Sequence, residues 1–342
     1  VSPVILRNTP LRALNSFGID ARAALLVRVD DPGDFDAALD ASAALPRRLV
    51  LGGGSNLLFV GDFDGALIQV ATRGRRMLAP PGPHVIVEAE AGEPWDDFVR
   101  WTLAQGLNGL ENLSMIPGCV GASPIQNIGA YGVEMRERFD GLSALRLSDG
   151  MTRDFNAHDC QFGYRDSIFK QSEAGRWLIT RVRFRLARDP DLRTGYGDLR
   201  EELARTGVAH PDAGDVAQAV RAIRARKLPD PAVIGNAGSF FKNPVLPQAH
   251  AQAVLARTPQ MPSWPGVDGT VKLSAAWMID RCGWKGAREG DAGVHAAHAL
   301  VLVNHGHATG AQILALSQRI RASVFETFGV ALEPEPSIIA TP

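Results

Sequence analysis

Between Leu107 and Glu134 the chain carries Gly109, Gly118, Gly121, Gly129 and Gly132, too densely for a helix or strand to run through the segment. The residues between these glycines are largely apolar rather than solvated, among them Leu110, Leu113, Val120 and Ile125. A stretch that cannot be regular and does not belong in water is expected to be a buried loop system facing a ligand.

A second glycine cluster sits in a clearer frame. RRLVLGGGSNLLF (47–59) is a β-branched and leucine-rich run that breaks at three glycines and resumes, which predicts strand, tight loop, then strand or helix. HVIVEAEAG (84–92) alternates like a strand. In EPWDDFVRWTLAQG, Pro94 suits a first helical position, Trp95, Phe98, Val99 and Leu103 share a face, and Gly106 ends the helix. Near the C-terminus Thr309 and Gln312 form a capping-box pattern, Ile313, Leu316, Ile320, Val324 and Phe328 form a stripe, and Gly329 is the stop; VALEPEPSII then runs extended. In RARKLPDPAVIGNAGS (224–239) a helix ending near Lys227 meets Pro229 and Pro231, and the last domain boundary is expected just before it. Strands mixed with helices, without an internal repeat, indicate α/β or α+β domains.

With 342 residues, 45% of them apolar, and a formal net charge of −1, two or three domains are expected. The neutral balance and the short basic clusters, such as Arg73, Arg75 and Arg76, argue against a nucleic-acid partner. The three cysteines, Cys119, Cys160 and Cys282, form no C-x-x-C pair, so neither a disulfide framework nor a metal site is signalled and a reducing compartment is expected. The N-terminal residues lack a signal-peptide pattern, and apolar runs such as ALVLV (299–303) cannot span a bilayer, so a soluble, cytoplasmic protein with no membrane partner is expected.

Five stretches carry groups with chemical potential, and each also has a plain structural reading. GGGSN (52–56) can present successive N–H groups to a pyrophosphate, although Leu57 stands where a G-x-G-x-x-G fingerprint needs its third glycine, and a tight turn explains it equally well. IPGCVGASPIQNIGAYG (116–132) adds more amides with Ser123, Gln126 and Asn127; it suits a dinucleotide, or a glycine-rich hairpin packed under another domain. In GYRDSIFK (163–170), Arg165 is either half of a surface ion pair with Asp166 or a bidentate carboxylate clamp. In LEPEP, Glu335 is held between Pro334 and Pro336 as a directed carboxylate or a solvated tail residue. Ser239 in NAGSFFKNP is a turn serine or a reactive hydroxyl, with Phe240 and Phe241 as water-excluding walls or core anchors. Periodicity cannot bring these residues together.

Taken in order, NSFGIDARA (15–23), LGGGSNLLF, GLENLSMIPGCVGASPIQNIGAYGVE (109–134), GYRDSIFK, IGNAGSFFKNP and LEPE give a chain that resembles, over almost its whole length, the UDP-N-acetylenolpyruvoylglucosamine reductase family. The resemblance implies an α+β protein: a two-subdomain FAD-binding unit like that of the vanillyl-alcohol-oxidase flavoproteins, over 1–70 (joined by the tail 334–342) and 71–224, then an α+β substrate-binding domain over 225–333. It implies non-covalent FAD, held by Gly52, Gly53, Gly54, Ser55, Asn56 and Leu57 from the first loop. From the second it implies Ile116, Pro117, Gly118, Gly121, Ala122, Ser123, Gln126, Asn127, Gly129 and Ala130. The activity implied is NADPH-dependent reduction of UDP-N-acetylglucosamine enolpyruvate to UDP-N-acetylmuramate, in peptidoglycan precursor synthesis, by a monomer. Hydride would come from flavin N5 and a proton from Ser239, with Arg165 and Glu335 stabilising the intermediate. Substrate would be lined by Tyr131, Tyr164, Lys227 and Asn243, with Tyr196 on the closing loop of one of two subtypes. His298, implied to bind substrate as well, stands where relatives carry a substrate-binding glutamine, and Pro336 follows the glutamate where an unconstrained residue is more usual.

The nearest rival reading is an FAD-dependent alcohol or sugar oxidase of the same fold. A serine hydrolase is disfavoured because G-x-S-x-G is absent. A non-enzymatic nucleotide-binding protein would purify colourless.

Overall fold

The computed structural model describes residues 2–78, 82–189 and 191–340; the last two residues of the expected joining tail, 341–342, lie outside the described residues. Contacts divide the chain into two compact units, one of Val1–Thr9, Ala23–Gly54 and Asp64–Arg226, the other of Pro10–Arg22, Ser55–Phe63 and Lys227–Pro342.

The first unit holds two sheets. One has the order Val4–Pro10, Arg22–Val29, Phe63–Val70, Arg48–Leu51, its last two strands parallel with Arg48 opposite Ala66. The other is antiparallel, ordered Thr152–Phe155, Phe139–Arg146, Trp177–Ala187, His84–Glu90, Arg75–Leu78. Alternation in HVIVEAE turns Val85, Val87 and Ala89 inward to join Val182 and Phe184 in the core. The helix Trp95–Ala104 closes this core, its Phe98 ring 5.3 Å and Trp95 ring 5.7 Å from Phe184. Pro94 is not its first residue: with ψ 130 it is extended and caps the helix from outside, so the helix begins at Trp95. A smaller core joins Leu199 and Leu203 of the helix Gly197–Thr206 to Val216, Val220 and Ile223 of the helix Ala213–Lys227.

The second unit has an antiparallel sheet ordered Gly235–Ser239, Val301–Asn304, Ala292–Val294, Arg288–Glu289. The helix Gly310–Phe328 packs against it with Ile313, Leu316, Ile320, Val324 and Phe328 buried. Its start is the expected capping box, Thr309 Oγ1 accepting from Gln312 N–H at 3.2 Å and Gln312 Oε1 from Thr309 N–H at 2.8 Å, and its stop is Gly329 at φ 68. The chain after it is extended, and Ser337–Ile339 pairs in parallel with Leu57–Phe59. The break at GGGS therefore leads into a second strand, not a helix. The architecture is α+β; among the described residues no helix is long and apolar enough to cross a membrane.

Candidate active site

In the first unit the two glycine loops abut. A Cβ on Gly53 would lie 2.9 Å from Gly118 Cα, and one on Gly52 would lie 2.2 Å from Cys119 Sγ, so only glycine permits this backbone approach. The Cys119 thiol accepts the amides of Gly53, Gly121 and Ala122, and burial pushes its pKa up, keeping it protonated and inert. Ser123 Oγ donates to Val120 O at 2.7 Å, and Asn127 spans Gly163 O (2.9 Å), Glu134 Oε2 (3.1 Å) and Arg136 N–H (3.0 Å). These two polar side chains therefore shape the loop from within. Ile116 and Pro117 lead into the close contact at Gly118; Gln126, half-buried, stands beside Asn127, and Gly129 and Ala130 pair with Val133–Glu134. Thr72 Oγ1, Asn112 Oδ1 and Ser114 Oγ are buried without a hydrogen-bond partner in the protein. Close-packed glycine backbones, with buried polar atoms left unsatisfied elsewhere in the same unit, fit a bound dinucleotide such as FAD.

Asn127 ties this loop to the segment bearing Tyr164 and Arg165. Arg165 adopts φ 54, donates through Nη2 to Gly129 O, and lies with Cζ 5.4 Å from the Tyr164 ring. A non-glycine residue at positive φ costs of order 1–3 kcal/mol, strain that functional positions commonly carry. Asp166 is occupied locally, by Ser167 N–H at 3.0 Å and Gln171 Nε2 at 2.9 Å. Tyr131, also at positive φ, meets the Tyr196 ring edge-on with centroids 5.6 Å apart, and Tyr196 is 43% exposed just before its helix.

Arg224 joins this cluster without having been singled out in the sequence. It hydrogen-bonds the Tyr131 side chain, donates to Met115 O at 3.2 Å, and feels the charge of Arg165; burial pushes its pKa down and the Tyr131 phenol's up. Asn112 was likewise missed: its Nδ2 donates to Tyr131 O (2.9 Å) and Arg193 O (2.8 Å), fixing the segment that leads to Tyr196. The available signal was the spacing of Arg224 and Lys227, three residues apart on one helix face.

In the second unit Ser239 ends a strand whose register slips between Asn236 and Ser239; Gly238 takes φ 68, and its N–H donates to Asn236 Oδ1 at 2.9 Å. Phe240 and Phe241 are 1% exposed, and Phe240 meets Phe17 with centroids 6.2 Å apart, so both anchor the core. Glu335 N–H donates to Phe240 O at 2.8 Å and Lys242 N–H to Glu333 O at 3.0 Å, which sets Glu335 in register with the residue after Ser239. Asn56 holds that tail through Nδ2 to Glu335 O (3.4 Å) and accepts Ser337 N–H (3.1 Å); Leu57 is buried in the adjoining pairing, following Ser55.

Asn243 Oδ1 accepts Ala275 N–H at 3.0 Å, at the start of the helix Ala275–Arg281. The half-buried His298 accepts Leu300 N–H at Nδ1 (3.3 Å), so its neutral form carries the proton on Nε2. Burial first, then the positive charges of Lys227, His295 and Lys285, push its pKa down. The chain thus groups Tyr131, Tyr164, Arg165 and Tyr196 within one unit, and Ser239 with Glu335, and Lys227 with His298, within the other.

Residues 23–156 match an FAD binding domain, and residues 230–339 match the C-terminal domain of UDP-N-acetylenolpyruvoylglucosamine reductase. The chain is 53% identical over 333 residues to the reductase of that name from Pseudomonas aeruginosa, covering 96% of this chain and 97% of the relative. It is 55% identical to that from Chromobacterium violaceum, with the same 96% and 97% coverage. The crystal structure of the Thermus caldophilus protein of that family superposes with TM-score 0.67 at 24% identity, covering 98% of each chain, and shows the shared fold. The protein is an FAD-dependent oxidoreductase. It belongs to the UDP-N-acetylenolpyruvoylglucosamine reductase family.

Proposed function

We propose that this reductase uses NADPH to reduce the enolpyruvyl group of UDP-N-acetylglucosamine enolpyruvate to the lactyl ether of UDP-N-acetylmuramate, as a cytoplasmic monomer. The observation that carries the reading is the backbone register that places Glu335 beside the Ser239 segment, both held by a bulge and a proline-bounded tail. FAD, when bound, supplies a hydride for the methylene carbon of the enolpyruvyl group. The neighbouring carbon then carries charge shared with the carboxylate. Arg165, a preset guanidinium, would neutralise that charge with paired hydrogen bonds. Ser239 would deliver a proton to the carbon, completing addition of H⁻ and H⁺ across the double bond, and Glu335 would help hold the charged species.

Gly52, Gly53, Gly54, Ser55, Asn56 and Leu57 and the 116–130 loop would hold the dinucleotide. Tyr131, Tyr164, Lys227, Asn243 and His298 would line the nucleotide sugar, with Tyr196 on a loop of the substrate-closing subtype. The corresponding division is FAD binding over 1–70 with the tail from 334, and over 71–224, and substrate binding over 225–333. Anaerobic addition of NADPH should bleach the flavin, and UDP-N-acetylglucosamine enolpyruvate should restore its colour without oxygen. An oxidase would instead be bleached by an alcohol or sugar and reoxidised by oxygen.

A further inference from the structure

At the end of the strand Arg48–Leu51 away from the glycine loop, the first unit contains a cavity of about 700 Å³ whose lining includes four arginines: Arg47, Arg48, Arg146 and Arg176. They come from three separate places in the chain: the entry to that strand, the end of Phe139–Arg146, and the approach to Trp177–Ala187. No carboxylate lines it among the described residues; Leu45, Pro46 and Leu147 supply apolar wall, and Ser148 and Gly175 complete it.

The lining is fixed by the protein itself. Leu147 N–H donates to Arg176 O at 2.8 Å, while Leu147 O accepts from Arg48 Nη1, so one residue's backbone locks two of the arginine-bearing segments. Arg146 is oriented by Asp149, whose Oδ1 accepts its Nε at 2.8 Å, and Arg176 lies 3.5 Å from Glu173. Glu173 in turn accepts Trp177 Nε1 at 2.7 Å. Asp149 and Glu173 stand against Arg146 and Arg176 without themselves lining the cavity. Guanidiniums gathered on one lining repel one another, and such an arrangement is favourable when an anion with several oxygens occupies it.

We infer that this cavity is a binding site for an oligophosphate anion, separate from the flavin loops and from the residues assigned to the nucleotide sugar. Its volume lies in the range of small-molecule sites, about 300–1,000 Å³, which admits a nucleoside diphosphate as well as inorganic pyrophosphate. The guanidiniums would take the phosphates in either case, and Leu45, Pro46 and Leu147 would contact a base.

The test uses the FAD-loaded full chain at low salt, with inorganic pyrophosphate and ADP as probes, read by calorimetry and by hydrogen exchange. Pyrophosphate should protect residues 45–48, 146–148 and 175–176 in the unsubstituted protein, with affinity falling as salt rises. Tighter binding of ADP than of pyrophosphate would add use of the apolar wall; equal binding would leave the phosphates as the whole ligand. Arg47→Gln/Arg176→Gln should weaken pyrophosphate at least tenfold with flavin content unchanged, and Arg176→Lys alone should retain most of the affinity. Protection confined to 52–56 and 116–132, or unchanged affinity in the correctly flavinated double variant, would overturn the proposal. The exchange experiment needs no variant, so misfolding of one would leave the outcome decided.

Discussion

Tyr196 illustrates what one residue can and cannot disclose. Its neighbours in RTGYGDL say only that it lies in a turn, and its proposed role came from family likeness; the edge-on contact with Tyr131 gives that role a physical setting. Tyr196→Phe keeps the ring contact and deletes the phenol. It should raise the KM for the UDP-sugar about 5–10-fold, the loss of one hydrogen bond of about 1 kcal/mol, while flavin content and the rate of flavin reduction by NADPH stay unchanged. An unaltered saturation curve would remove the phenol from the site. Arg224 was hidden for a different reason. In RARK it reads as one of several solvated helix cations, its three-residue spacing from Lys227 a weak signal that the packing against Tyr131 and Met115 makes specific. Likewise the occupation of Ser123 and Asn127 by their own loop depends on partners that no spacing rule supplies.

At the scale of elements, the helices Trp95–Ala104 and Gly310–Phe328 were legible because their signals are local. Gly310–Phe328 carries its cap, stripe and stop within twenty-odd residues, and Thr309→Ala should cost about 1 kcal/mol in a denaturant titration, the usual loss on deleting an N-cap. The pairing of Ser337–Ile339 with Leu57–Phe59 was not legible, because strand partnership across so much chain is decided by packing rather than by either segment. The same holds for the link between helices Trp95–Ala104 and Ala213–Lys227. There Arg221 places both terminal nitrogens on Asp96, at 2.5 and 2.7 Å. Burial works to raise the Asp96 pKa, but the Arg221 and Met115 hydrogen bonds and the charges of Arg221 and Arg100 outweigh it, and the carboxyl sits below its ordinary 3.8. A lowered carboxyl pKa adds stability that is complete above the unfolded value and is lost as pH falls through the folded one. Arg221→Leu should therefore cost about 1.5–3 kcal/mol near neutrality, and the gap from the unsubstituted protein should narrow as pH drops below about 4. A gap constant down to acid pH would show that the loss comes from packing alone.

At the scale of the molecule, Gly52, Gly53 and the 116–130 loop belong to one compact unit and the Ser239 segment with Glu335 to the other, so substitutions can be aimed at each separately. Gly52→Ala places a Cβ 2.2 Å from the Cys119 sulfur and should yield protein with much less FAD; flavin in the unsubstituted protein should be released by acid precipitation. Flavin that stayed with the precipitate would contradict non-covalent binding. The α+β class was readable from mixed periodicities, and the enzyme family from six ordered motifs; the residues acting together were not, since folding alone brings Glu335 into register beside the Ser239 segment.

On the proposed mechanism Ser239 provides the proton of the second half-reaction, and stopped-flow measurement of both halves in Ser239→Ala decides whether it does. Reduction of the flavin by NADPH should proceed at the unsubstituted rate, while its reoxidation by UDP-N-acetylglucosamine enolpyruvate slows by ~10²–10⁴, the span for loss of a positioned acid. Equal slowing of both halves, or of neither, would contradict the account.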